Sequence, residues 1–239
     1  MDLIICFIDD SDFEHELVRQ EIAPRSPGLE FLQAYTFEEA RELLGERIPL
    51  LFLLDLWGQD PEVKKPAIPS MVELEEQASR IKTLREVYGG LDAFEGDRNN
   101  EFLKRLFAIV EGWRSIFRRA SDLVGQNSRY GIENLHRVRR SYPGVPAVFY
   151  TRKSMIDDAV EMFKAGADGL FIKPTGRDDR QTRDLTREYA PSLIYSLAEI
   201  IDRHIHNLRS LSPLPPPSGE RPSDPVEDLI EAWKKFRNN

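Results

Sequence analysis

The sequence predicts an α/β protein built on an open, doubly wound parallel sheet. Three observations carry this. Short apolar runs recur without polar interruption: "LIICFI" (3–8), "LLFLL" (50–54), "PAVFY" (146–150) and "GLFI" (169–172). Continuous runs of that length fit strands buried on both faces. Stretches of helical periodicity separate them, and each run delivers a polar or charged residue to its C-terminal end, where the ligand crevice of such a sheet opens.

The first run ends in Asp9 and Asp10. Ser11 then opens "SDFE", a capping-box pattern completed by Glu14. It predicts a helix over 12–22 with Phe13, Leu17, Val18 and Ile22 facing inward. Pro24, Pro27 and Gly28 punctuate the chain after it. "LEFLQAY" reads as the second strand. Thr36 and Glu39 cap a short helix that ends near Gly45, and Pro49 precedes the third strand, which ends at Asp55. The alternation resumes with the helix "YGIENLHRVRRSY" and the strand "PAVFY", ending at Thr151. The helix "SMIDDAVEMFKAGA" follows, stopped by Gly166, and then the strand "GLFI", ending at Lys173 and Pro174. A helix over about 182–208 completes the pattern. Five strands alternating with five helices imply a parallel sheet covered on both faces.

Residues 59–128 interrupt this alternation and are too many for a simple loop. Met71, Leu74, Ala78, Ile81 and Tyr88 form one apolar stripe. Phe102, Leu106, Ile109, Trp113, Ile116, Ala120 and Leu123 form another, with "GGLDAFEGDRNN" as the turn. The segment reads as an inserted antiparallel helical hairpin. Its second helix also carries Leu103, Phe107, Val110 and Phe117, a face too wide for one partner helix, so it is expected to meet a third surface. The predicted organisation is a sheet domain over 1–58 and 129–208, the hairpin over 59–128, a Pro-rich linker over 209–225 and a short amphipathic tail over 226–239. Val226, Leu229, Ile230, Trp233 and Phe236 share one face of that tail. A helix so short is marginal alone and is expected to dock.

The chain has 239 residues and a formal charge of −8, with 41% hydrophobic and 31% charged residues. The acidic balance argues against nucleic acid as the main partner, and Arg137, Arg139 and Arg140 read as a solvated helix face. Cys6, the single cysteine, reads as a buried small hydrophobe without a disulfide or metal role. No run approaches the roughly 18 apolar residues of a membrane span, and "MDLIICFIDD" lacks a basic leader. The expectation is a soluble, cytoplasmic protein with no membrane partner. His15, His136, His204 and His206 share no metal-ligand spacing and read as solvated or partly packed helix residues.

The strand ends hold the chemistry. Asp9 and Asp10, Asp55, Thr151 and Lys173 all fall where an open sheet gathers its ligands. Three carboxylates in one place cannot all be comfortable when ionised. A hard divalent cation such as Mg²⁺ relieves them, and a hydroxyl and an ammonium opposite it complement a phosphoryl group.

The ordered set "IDDS", "LLDLW", "VFYT" and "AGADGLFIKP" resembles the receiver domain of two-component response regulators, over residues 1–57 and 129–208. The resemblance implies a flavodoxin-like sheet of order 2-1-3-4-5. It implies that Asp55 accepts a phosphoryl group from a histidine kinase, a phosphotransfer protein or a small phosphodonor. Asp10 is then the direct Mg²⁺ ligand and Asp9 acts through water, while Asp55 and the backbone carbonyl of Trp57 complete the protein's share of the metal site. Thr151 and Lys173 hold phosphoryl oxygens. The resemblance also implies a cis Lys173–Pro174 bond and, at most, Mg²⁺-dependent self-phosphorylation and autodephosphorylation.

Three positions depart from that pattern. Arg152 stands where a small residue is usual, and it either crowds the phosphoryl pocket or pairs with the phosphate. Leu170 replaces an aromatic switch residue, unless Phe171 substitutes. Trp57 is expected to shield a phosphoaspartate and slow its hydrolysis. The hairpin contains no histidine and so is not a phosphotransfer module, and no output domain is recognisable. Signalling is therefore expected through protein contacts of the hairpin, the last long helix or the tail, including a possible homodimer. The alternative is a receiver-like interaction or dimerisation module that needs no phosphate. A haloacid-dehalogenase-like phosphohydrolase is disfavoured, because that chemistry wants an Asp where Trp57 stands.

Overall fold

The computed structural model describes residues 2–59, 65–152, 156–205, 207–208 and 225–238. The chain divides into two compact units, Met1–Gly58 with Ser128–Asn239, and Gln59–Asn127.

In the first unit, β1 (Leu3–Ile8) is buried at every position, as a strand covered on both faces must be. It pairs in parallel with β2 (Leu29–Ala34) and β3 (Leu51–Leu54). A separate two-stranded sheet, of β4 (Gly58–Gln59) and β5 (Gln126–Asn127), falls at the two chain ends of the second unit. The main sheet continues from β3 to β6 (Ala147–Thr151) and from there to β7 (Gly169–Ile172), both in parallel. The order β2-β1-β3-β6-β7 is the doubly wound, flavodoxin-like arrangement that the sequence predicts. Ile8 lies opposite Ala34 and Leu54, and Leu54 lies opposite Phe149. The strands therefore end along one edge. β2 lies on one side of β1, and β3 and the later strands on the other, so the switch point falls between β1 and β3. Ile4, Ile5, Phe7, Phe52, Leu53, Val148 and Phe149 are all fully buried, and each large one contributes about 1.5–3 kcal/mol by area.

The helices follow their local signals with two exceptions. Ser11 caps α1 (Asp12–Leu17), but the helix predicted to reach residue 22 changes character. Val18–Ile22 is a π-helical turn in which the Ala23 N–H reaches back five residues to the Val18 carbonyl. Pro24 follows in a 3₁₀ turn, Ala23–Arg25; it has no N–H to continue an α ladder. Thr36 caps α2 (Phe37–Leu44), which stops at Gly45 with φ +59°. That left-handed conformation suits glycine.

The second exception lies in the insertion, which is the second compact unit. The single first helix expected there is two, α3 (Met71–Ala78) and α4 (Leu84–Tyr88). Ser79 Oγ donates to the Glu76 carbonyl, and Thr83 with Glu86 forms a fresh capping box, so local hydrogen bonds end one helix and start the next. Both pack on α5 (Arg98–Leu123). A Cβ at Gly112 would meet Ile81 Cγ1 at 2.8 Å, so the glycine makes room for that side chain. Arg105 donates to the carbonyls of Val87 and Gly89 at 3.1 and 2.7 Å, tying the end of α4 to α5. Leu103, Phe107 and Trp113 of α5 are exposed.

Back in the first unit, α6 (Arg129–Ser141), α7 (Ile156–Lys164) and α8 (Asp179–His204) flank the sheet. The last helix, α9 (Pro225–Arg237), buries Val226, Leu229, Ile230 and Trp233. Trp233 Nε1 donates to Asp202 Oδ1 of α8 at 2.7 Å. Burial of this face is what a thirteen-residue helix requires. The expected linker lies almost wholly outside the described residues. None of the described peptide bonds is cis, which corrects the expectation for Lys173–Pro174; trans is the lower-energy form unless packing enforces the other.

Candidate functional site

The hydrogen-bond ladder fixes the strand ends before any side chain acts. The Asp9 N–H donates to the Ala34 carbonyl and the Asp55 N–H to the Ile8 carbonyl. Asp9 and Asp55 therefore emerge side by side at the switch point. Asp9, Asp10 and Asp55 each offer a carboxylate oxygen within 4.8 Å of the others. Asp9 is 1% exposed and Asp55 7%, with Asp10 half-buried.

Lys173 reaches this cluster from the end of β7. Its N–H donates to the Thr151 carbonyl, and its Nζ donates to Asp9 Oδ2 and, at 2.8 Å, to Asp55 Oδ1. The ammonium is 3% exposed and lies 5.8 Å from the Phe7 ring centre and 5.6 Å from that of Tyr150. Burial works against its charge, but Asp55, Asp9 and Glu14 outweigh that and hold it protonated. The carboxyls feel the reverse. Burial, opposed by Lys173 and reinforced by Asp55 and Glu14, pushes Asp9 up to about 7. Burial likewise raises Asp55, again opposed by Lys173.

Thr151 is buried at the end of β6. Trp57 is 5% exposed, and its backbone N–H donates to Asp55 Oδ2 at 3.0 Å, fixing the carboxylate's rotation. All the sequence-predicted site residues thus lie on the strand-end edge of the sheet, with Asp9, Asp10 and Asp55 gathered together and Lys173 bonded to Asp9 and Asp55.

Sequence reasoning missed four residues here. Glu14 reads as a capping partner of Ser11, but only half of that box forms. Ser11 Oγ accepts from the Glu14 N–H, whereas the Ser11 N–H goes to Asp9 Oδ1. The Glu14 carboxylate turns to two cations instead: Arg152 at 2.6 Å and Lys173 at 3.6 Å. Arg152 is accounted for by that pairing, and its guanidinium lies 5.6 Å from the Phe13 ring centre. Phe13 is only half-buried, while Glu14 and His15 take the inward positions. His15, expected to be solvated or partly packed, is 2% exposed. Its ring nitrogens meet the Asp9 carbonyl at 2.8 Å and Gln33 Oε1 at 3.0 Å. Tyr130 and Gly131 open α6 against the Asp55 loop: the Gly131 N–H donates to the Leu56 carbonyl, and a Cβ there would sit 2.5 Å from the Asp55 carbonyl oxygen. No signal in one sequence marks these two positions. Glu14 was legible only as the capping partner of Ser11.

The donors are hard oxygens at close quarters, and a magnesium-like cation suits them. Among described residues no helix is long and apolar enough to cross a membrane.

No family model matches the chain. Its N-terminal part is 37% identical over 68 residues to the luminescence regulatory protein LuxO of Vibrio campbellii, 27% of this chain and 15% of that protein. A LuxO of Vibrio cholerae is 40% identical over 68 residues. The match therefore spans about 15% of the length of these curated relatives. Among solved structures, the signal receiver domain of a putative LuxO repressor from Vibrio parahaemolyticus aligns at TM-score 0.44 and 14% identity, covering 88% of this chain and 97% of that one. The response regulator domain of Thermotoga maritima CheB aligns at 0.44 and 14%, covering 84% and 98%. The observed strand order thus gives the flavodoxin-like fold, the structural neighbours are receiver domains, and the sequence of the N-terminal part is similar to LuxO regulators.

Proposed function

We propose that this chain is a phosphorylatable receiver in which Asp55 takes a phosphoryl group from a phosphohistidine or a small acyl phosphate. The observation that carries this reading is the single ammonium of Lys173 shared by Asp9 and Asp55 beside a third carboxylate, Asp10. Catalysis of this kind needs placement and charge neutralisation more than covalent help. An Asp55 oxygen bonds to phosphorus as the donor's P–N or P–O bond breaks, and the departing imidazole or carboxylate keeps the electron pair. The Trp57 N–H holds one Asp55 oxygen so that the other can attack. Lys173 and the Thr151 hydroxyl receive phosphoryl oxygens. Asp10, Asp9, Asp55 and the Trp57 carbonyl would hold Mg²⁺, which supplies charge neutralisation of the phosphoryl oxygens. The buried Trp57 side chain keeps water from the product, so Trp57→Ala shortens its lifetime. Output runs through protein contacts of the insertion, α8 or α9.

A second reading is an interaction module independent of phosphate. It is favoured by the engagement of Arg152 with Glu14 and by Leu170 at the position where an aromatic switch is expected. One experiment separates the two. The protein is incubated with Mg²⁺ and acetyl phosphate or beryllofluoride, and the adduct is read by intact mass, with Asp55→Asn as control. An Asp55-dependent adduct supports the receiver, and its absence supports the interaction module. Steady turnover of added phosphoesters would instead revive the phosphohydrolase.

A further inference from the structure

Tyr130 carries no catalytic signal in the sequence, yet it contacts both the loop after Asp55 and the end of β2. Its ring lies on Gly58: a Cβ there would sit 2.5 Å from Tyr130 Cγ, so no other residue fits beneath it. Its hydroxyl donates to the Tyr35 carbonyl at 2.7 Å, at the end of β2. The next residue, Gly131, donates to the Leu56 carbonyl and lies against the Asp55 backbone. The first turn of α6 therefore grips residues 55–58 from one side.

The anchor it uses is itself held. The Tyr35 N–H donates to Glu39 and its hydroxyl to Asp12. The Tyr35 ring lies 4.4 Å, centre to centre, from that of His15, whose Nε2 meets the Asp9 carbonyl. One contact chain thus joins the Asp55 loop to the Asp9 loop through Tyr130, Tyr35 and His15. Burial, with Asp9, Asp10 and Asp55 next in order, suppresses ionisation of the Tyr130 phenol, which places it in the field of all three carboxylates.

We propose that Tyr130 is a positioning residue that walls the acceptor pocket, clamping the Asp55 loop and keeping bulk water and small phosphodonors off Asp55. This rests on the reading of Asp55 as acceptor. A phosphoaspartate is lost when water attacks phosphorus, and a pinned aromatic ring over the loop removes one direction of approach.

The test compares wild type with Tyr130→Phe, Tyr130→Leu and Tyr130→Ala, each checked for folding by circular dichroism. Three quantities are read: labelling rate with acetyl phosphate, phosphoprotein lifetime and Mg²⁺ affinity by calorimetry. Tyr130→Ala is expected to lose phosphate and to label faster by about tenfold, with Mg²⁺ affinity nearly unchanged. Tyr130→Phe keeps the ring and is expected to restore most of the lifetime. Tyr130→Leu should fall between them and stands in if the alanine variant does not fold. Unchanged lifetime in a folded alanine or leucine variant overturns the proposal. So does a lifetime loss matched by loss of Mg²⁺ affinity, which would mean general disorder of the acids. Failure of the wild type to label at all overturns the acceptor reading, and the wall with it.

Discussion

Lys173 Nζ donates to Asp55 Oδ1 at 2.8 Å and at the same time to Asp9, so one buried ammonium spans the ends of two neighbouring strands. Four carboxylates, Asp9, Asp10, Asp55 and Glu14, face two cations, Lys173 and Arg152. The site is thus built with surplus negative charge, which a divalent ion would balance.

Removing the lysine exposes that imbalance. Lys173→Met leaves buried carboxylates without their counter-ion and is expected to cost about 3–5 kcal/mol. Urea unfolding measures it, and Mg²⁺ should recover more stability in the variant than in wild type. A loss below about 1 kcal/mol, the scale of an exposed pair, would mean that Lys173 does not balance the acids.

The pH dependence follows from Asp9. Its carboxyl rises from 3.8 to about 7 in the folded chain. Without metal, the fold keeps a proton that the unfolded chain has released. Asp9's stabilising contribution is therefore complete below 3.8 and is lost as pH rises through about 7. A divalent ion must expel that proton, so Mg²⁺ affinity increases across the same window. Asp9→Asn should flatten the metal-free stability profile. An identical slope in the variant would assign the dependence elsewhere.

Arg152 and Glu14 form a partly buried pair, with side chains 23% and 9% exposed. Arg152→Ala strips Glu14 of its nearer cation and is expected to cost about 1–3 kcal/mol. Glu14→Gln in the same chain should recover part of that loss, because no uncompensated charge remains. The interaction energy is read from a double-mutant cycle; additive losses would show the two side chains to be independent.

Gly131 sets helix propensity against space. Alanine is favoured over glycine by about 1 kcal/mol in a helix interior. A Cβ here, however, would lie 2.5 Å from the Asp55 carbonyl oxygen and 2.6 Å from Leu56 Cα, both backbone atoms. The clash is expected to win: Gly131→Ala should destabilise by about 1–3 kcal/mol and slow labelling of Asp55. A more stable variant would show that the loop yields easily.

The strands were legible because a buried parallel strand needs an unbroken apolar run, and β7 was read residue for residue as Gly169–Ile172. Capping residues were legible too, since Ser11 and Thr36 bond to amides only three positions away. The π turn at Val18–Ile22 and the break between α3 and α4 were not, because periodicity records which face is apolar and not where the backbone ladder changes.

By itself the sequence determined the order of strands and helices and which acids stand at the strand ends, because those depend on local periodicity and chain direction. Only the tertiary structure decided that Glu14 turns from its cap to Arg152, that His15 is buried on the Asp9 carbonyl, and that Tyr130 covers Gly58. These contacts join residues that only packing brings together, and a side chain with several possible partners takes the one that the finished sheet places nearest.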